Sequence, residues 1–269
     1  GSEAHMFHHE VGGASALAGV QIRLVRNDHR GMMDPDEIRN AIRAPNIHNP
    51  RTALLCIENT HNRCSGGVLT PEEMKALADV AHENGLKVHL DGARIFNAAV
   101  YLGIPARELT KHVDDVCFCI SKGLSCPVGS LLCGTKEFVA RARKWRKMVG
   151  GGMRQVGILA AAGIVALQTM IDRLAEDHAN AQMLARGLAQ IPGIRLDPDN
   201  CPTNIVIFEI DGSVPQFIKA LADRGLKVSS PGGQRIRMVT HYGITGEDIE
   251  EALSIVEAVA RERMRVEAR

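Results

Sequence analysis

The stretch Leu86-Lys87-Val88-His89-Leu90-Asp91-Gly92-Ala93-Arg94, with Val116-Cys117-Phe118-Cys119-Ile120-Ser121-Lys122-Gly123 further on, decides the fold of this chain. Two short apolar runs, 86–90 and 116–120, flank a helical passage, and each is followed by a polar residue and a glycine. Runs of this kind predict parallel strands covered on both faces. In an open α/β sheet the ligand crevice lies beyond the carboxyl ends of the strands, so Asp91 and Lys122 are directed into one crevice. An acid and a lysine delivered this way suit pyridoxal phosphate. The lysine forms the Schiff base, and the acid keeps the pyridine nitrogen protonated so that the ring can draw electrons. Taken singly, Asp91 also reads as a helix cap and Lys122 as a solvated loop lysine. Their repetition at two strand ends favours the functional reading.

Working outward, 52–57 reads as another buried strand, ending in Glu58-Asn59-Thr60-His61. These polar groups join the same crevice, and His61 is either an active-site base or a loop residue. Thr70-Pro71-Glu72-Glu73 is a capping box that opens a helix to Asn84, closed by Gly85. Strand, helix and strand then make a right-handed βαβ crossover. Towards the N-terminus, 14–18 predicts a helix and 20–25 a strand, and Asp34-Pro35 starts a helix to about Ala44. Residues 129–133 predict one more strand, with a helix from Thr135 that carries Arg141, Arg143, Lys144, Arg146 and Lys147 around Trp145. That helix reads as a solvated face in preference to a nucleic-acid surface.

Gly150-Gly151-Gly152 breaks the chain before a long helical stretch from Met153, whose N-terminus can hold an anion. Residues 158–170 are apolar on almost every face, which predicts a helix buried all round by the sheet and by another subunit. The domain seam falls near 168–173. Beyond it come an amphipathic helix, strand candidates at 194–196, 204–210, 226–229 and 235–239, and interleaved helices at 214–224 and 247–264. On its strand Arg237 faces opposite to Ile236 and Met238. It is either a surface residue or the planar fork that a substrate carboxylate requires.

The 269 residues, 45% of them hydrophobic, suffice for a large and a small domain. A formal charge of +1 and 3% aromatic residues speak against nucleic acid or an anionic membrane as partner. Seven cysteines, an odd number and mostly within apolar strands, predict reduced thiols in a cytosolic core and no disulfide framework. The spacing of Cys117 and Cys119 is not that of a zinc site, so no metal is expected. The longest apolar run, 158–167, falls short of the ~20 residues that span a bilayer.

Five motifs are carried together: His89-Leu90-Asp91-Gly92-Ala93-Arg94-Ile95-Phe96-Asn97; Ser121-Lys122-Gly123-Leu124-Ser125-Cys126-Pro127-Val128-Gly129-Ser130; Glu58-Asn59-Thr60-His61-Asn62; Trp145-Arg146-Lys147-Met148 with Gly150-Gly151-Gly152-Met153-Arg154-Gln155; and Arg237-Met238-Val239-Thr240-His241. In content and order the chain resembles the threonine aldolases over nearly its whole length.

The resemblance implies an α/β, aspartate-aminotransferase-like fold, with a large, mostly parallel-sheet domain over 1–170 and a small α+β domain over 171–269. It implies a PLP-dependent lyase that splits threonine and allo-threonine into glycine and acetaldehyde. Lys122 would hold the cofactor, Asp91 its ring nitrogen and His5 its ring face, although His5 on sequence alone reads as a surface histidine. Arg237 would clamp the substrate carboxylate, with Arg94 a second cationic contact to the ring oxygen or carboxylate. His61 or His5 would serve as base, and Lys147 and Arg154 would lie near the active site of their own or a neighbouring subunit. A cytoplasmic homotetramer built on a dimer is expected. The rivals are another fold-type-I PLP lyase, which needs no base at a β-hydroxyl, and a subunit that keeps fold and interface without turnover. The family also carries a phosphate-binding turn ahead of the position of Gly1. The sequence lacks it, which predicts weak PLP binding, ready association and poor turnover by these 269 residues alone.

Overall fold

A computed structural model of the chain describes residues 1–267. Short helices α1 (His5–His8), α2 (Gly13–Ala18) and α3 (Pro35–Ala41) lead into strand β1 (Leu54–Glu58). Helix α4 (Pro71–Glu83), β2 (Lys87–Asp91), α5 (Ile95–Leu102), α6 (Ala106–Thr110), β3 (Asp115–Cys119) and β4 (Ser130–Cys133) follow. The strands form one four-stranded sheet in the order β1-β2-β3-β4, parallel from β1 to β3 and antiparallel at β4. The expected βαβ crossover is present. Thr70 and Glu73 close both halves of the capping box at the start of α4, and Pro71 occupies its first turn. Such a cap contributes about 1 kcal/mol.

Helices α7 (Lys136–Met148), α8 (Gly157–Thr169) and α9 (Leu174–Leu188) lead to a second four-stranded sheet. Its strands are β5 (Ile194–Arg195), β6 (Ile205–Ile210), β7 (Ser229–Gly232) and β8 (Arg235–Val239), with α10 (Val214–Ala222) between β6 and β7 and α11 (Gly246–Glu267) at the end. Its order is β5-β6-β8-β7. One apolar core lies between the first sheet and α3–α6, built on Leu55, Ile57, Leu77, Val88, Leu90 and Leu109. A separate core joins the second sheet to α9–α11 through Leu184, Leu188, Phe208, Leu221, Ile236 and Val256.

Several expectations are corrected. Residues 20–25 form no strand; the nearest pairing is an isolated bridge from Asn27 to Met33. Helix α3 ends at Ala41, α8 starts at Gly157 rather than Met153, and β7 begins only at Ser229. The first sheet is not covered evenly on its two faces. Val88 and Leu90 are buried, whereas His89 and Asp91 on the opposite face are only half-buried. Helix α8 is not buried all round either: Gly163 and Ala166 pack inward, but Ile158 is 81%, Ile164 57% and Val165 58% exposed. The sheet can cover one side of a helix, and among the described residues nothing covers the others. Among the described residues no single helix is long and apolar enough to cross a membrane.

Candidate active site

The carboxyl ends of β1, β2 and β3 line up at one edge of the first sheet, and Glu58 pairs with Asp91 in register. Asp91 is the last residue of β2, not a residue beyond it. Its Oδ1 accepts the backbone N–H of Ala93 at 3.0 Å and a long contact from the Cys117 thiol at 4.0 Å. Oδ2 has no hydrogen-bond partner among the described residues. Donor atoms of His5, Glu10 and Asp91 lie within 4.8 Å of one another, so the structure brings the terminal histidine onto the acid. His5 is held there from two sides: Nδ1 meets Glu10 Oε1 at 3.1 Å, and its backbone N–H donates to Glu58 Oε2 at 2.7 Å. The other oxygen of Glu58 accepts from the Asn62 N–H at 2.8 Å. Glu58 therefore pins α1 to the turn after β1.

That turn places His61 in the interior, with 1% of its surface exposed and neither ring nitrogen hydrogen bonded. Burial pushes its pKa down to about 4, so the imidazole is neutral. Burial likewise raises the carboxyl of Glu58, against the backbone bonds from Asn62 and His5. With the imidazole neutral, the 3.9 Å separation of His61 Nε2 and Glu58 Oε2 is not an ion pair. Gly31, at φ +96°, packs directly on the ring; a Cβ there would lie 2.4 Å from His61 Cδ2. The neighbouring turn admits only glycine at that position.

Two arginines from different sheets converge on one amide. Arg237 on β8 donates to Asn62 Oδ1 at 2.9 Å, and Arg94 in the turn between β2 and α5 approaches the same oxygen at 3.4 Å. Burial and then the nearby Arg237 cation push Arg94 down to about 10, and burial also lowers Arg237. The Nε atoms of both are buried without a partner. Two desolvated cations sharing one neutral oxygen call for an anion, and the planar forks suit a carboxylate.

Lys122 follows β3 in the turn that closes with the Ser125 N–H on the Lys122 carbonyl at 2.9 Å. It is half-buried, and its ammonium has no partner among the described residues. The chain passes close under it, since a Cβ on Gly123 would lie 2.8 Å from Leu174 Cδ2 on α9 and 3.7 Å from Asn97 Oδ1 on α5. Asn97 also donates to Asn204 at 3.3 Å, Asn204 to the Thr240 carbonyl at 2.9 Å, and Thr240 to the Asp177 carbonyl at 2.6 Å. These buried bonds run from Asn97 on α5 through Asn204 to Thr240, just past Arg237, and tie α5 and α9 to the second sheet. Lys147 lies in the last turn of α7 and Arg154 beyond its end; both are exposed, and among the described residues neither is bonded to the cluster.

Asp91, His5, His61, Arg94 and Arg237 are thus gathered as expected, and Lys122 occupies the neighbouring strand end. Glu58, Asn62 and Glu10 are additional members. Glu58 and Asn62 lie within a polar run that follows an apolar strand, and this is the signal that marks them. The residues fit pyridoxal phosphate and an amino acid: Asp91 Oδ2 is free to accept a ring N–H, and the arginine Nε atoms await an anion.

A family model described as Beta-eliminating lyase matches residues 1–211. The chain is 40% identical over 260 residues to low-specificity L-threonine aldolase 1 of Arabidopsis thaliana, covering 94% of this chain and 73% of that one. It is 39% identical over 255 residues to the low specificity L-threonine aldolase of Escherichia coli strain K12, covering 93% of this chain and 73% of the relative. Among solved structures, a threonine aldolase of Leishmania major superposes with a TM-score of 0.78 at 19% identity, over 96% of this chain and 76% of that one. At that identity the last likeness bears on the fold.

Proposed function

The chain belongs to the beta-eliminating lyase family, among its threonine aldolases, and on that premise we propose that it cleaves L-threonine and L-allo-threonine to glycine and acetaldehyde with pyridoxal phosphate. The observation that carries this reading is the convergence of Arg94 and Arg237 on Asn62, beside Asp91 and the unpaired ring of His61. The bound cofactor supplies the electron sink that carbon–carbon cleavage requires. Lys122 holds it covalently, Asp91 Oδ2 accepts its ring N–H, and His5 covers its face. Arg237 and Arg94 take the substrate carboxylate in place of Asn62, which fixes the orientation of the bond to be broken. His61, neutral and unpaired, receives the β-hydroxyl proton directly or through water, with His5 as the alternative base. Lys147 and Arg154 belong to the outer rim of a site, in this subunit or in a neighbouring one.

The separate cores of the two sheets support a large domain over 1–170 and a small one over 171–269, with a third cluster around Ile120, Leu124, Ala166 and Leu174 at the seam. The bare apolar sides of α8 support a homo-oligomer, a tetramer with a dimer as its minimal unit, and the free thiols support a cytoplasmic enzyme. The test is a coupled assay on both threonine diastereomers, in which glycine and acetaldehyde appear together. Release of ammonia with a keto acid instead would favour a different lyase of the same fold.

Exchange of Arg237 for lysine is expected to weaken threonine and free glycine alike by about tenfold or more, because a point charge cannot make the bidentate contact. Unchanged glycine affinity, read from the absorption of the bound cofactor, would shift the carboxylate contact to Arg94.

A further inference from the structure

The half-buried face of the first sheet carries more than Asp91. Register places His89 beside Asp115 and Asp91 beside Cys117, and alternation puts His89 and Asp91 on the same face of β2. These side chains form a connected row. His89 Nδ1 is hydrogen bonded to Asp115 Oδ1, Cys117 stands diagonally across from His89 on the neighbouring strand, and Cys117 Sγ reaches Asp91 Oδ1 at 4.0 Å. Burial alone would make the His89 imidazole neutral. The hydrogen bond to Asp115 and its negative charge, with Cys117 close by, outweigh it, and the pKa rises to about 10. The row therefore alternates: carboxylate, imidazolium, thiol, carboxylate.

Resting on the cofactor reading above, we propose that His89 and Cys117 are positioning residues for Asp91, holding its Oδ1 so that Oδ2 is presented to the cofactor's ring nitrogen. The Ala93 N–H fixes Oδ1 from one side at 3.0 Å, and the Cys117 thiol, polarised by the His89 cation, approaches it from the other. The row requires no covalent step and moves no electrons; it sets how strongly Asp91 holds a proton on the ring.

The test measures dissociation constants of the full cofactor-free chain for pyridoxal phosphate and for its deaza analogue, in which the ring nitrogen is replaced by C–H. The parent binds the natural cofactor more tightly, and the ratio of the two constants reports the Asp91 contact alone. His89→Gln and Cys117→Val are expected to reduce that ratio by about fivefold, the equivalent of one modest hydrogen bond. Affinity for the deaza analogue stays within about twofold, and Cys117→Ser retains the parent ratio because a hydroxyl also donates. Parallel weakening of both ligands would mean a merely structural role and would overturn the proposal, as would an unchanged ratio. A parent that binds neither ligand overturns the cofactor reading together with this one.

Discussion

Replacement of Lys122 by alanine is expected to abolish aldol cleavage, with a fall in turnover on the order of 10⁴ or more, as when the covalent residue of an enzyme is removed. The folded structure should survive. Lys122 is half-buried in a turn and has no partner among the described residues, so its loss leaves no buried group unpaired. Borohydride treatment followed by mass measurement checks the assignment: the parent gains the mass of the reduced cofactor and the variant does not. Retained attachment in the variant would move the covalent site to another lysine.

Asp91→Asn is expected to lower turnover by about 10²–10³, the usual cost of removing an oriented electrostatic partner from a reacting centre. The amide can still accept the Ala93 N–H at the Oδ1 position, so the turn before α5 should keep its shape. What is lost is a full negative charge at Oδ2, and with it the hold on the proton of the ring nitrogen. A variant within about threefold of the parent would place Asp91 away from the ring and leave it as a cap on the turn.

The parts of this site that could be read in the sequence are those where chemistry and strand ends coincide. Asp91 and Lys122 each follow an apolar run, and the structure puts those runs side by side as parallel neighbours. The polar run after β1 marks Asn62, but not its partner, because that contact arises only when β8 of the second sheet carries Arg237 to the turn after β1, 175 residues distant in sequence. The half-open face of the sheet was hidden for a related reason. His89, Cys117 and Cys119 lie within apolar runs, and cysteine counts as apolar in such a pattern although its thiol here sits among polar groups. Helix α8 shows the opposite limit. Its composition predicts burial, but periodicity does not say whether the same chain supplies the cover, and here Ile158, Ile164 and Val165 stay exposed.

The pair of guanidinium groups around Asn62 has a consequence for selectivity. Arg94 and Arg237 repel one another across a single amide oxygen, one held in the turn after β2 and the other on β8. A small molecule that brings a carboxylate relieves that repulsion. Much of the attraction for a substrate is then indifferent to its side chain, and glycine, the product, benefits as much as threonine. Discrimination falls instead to the few atoms around the β-carbon, where His61 offers an uncharged ring without a partner and can accept a hydroxyl proton from more than one direction. A pocket that grips the common end of every amino acid and leaves the variable end loosely supervised is tolerant by construction.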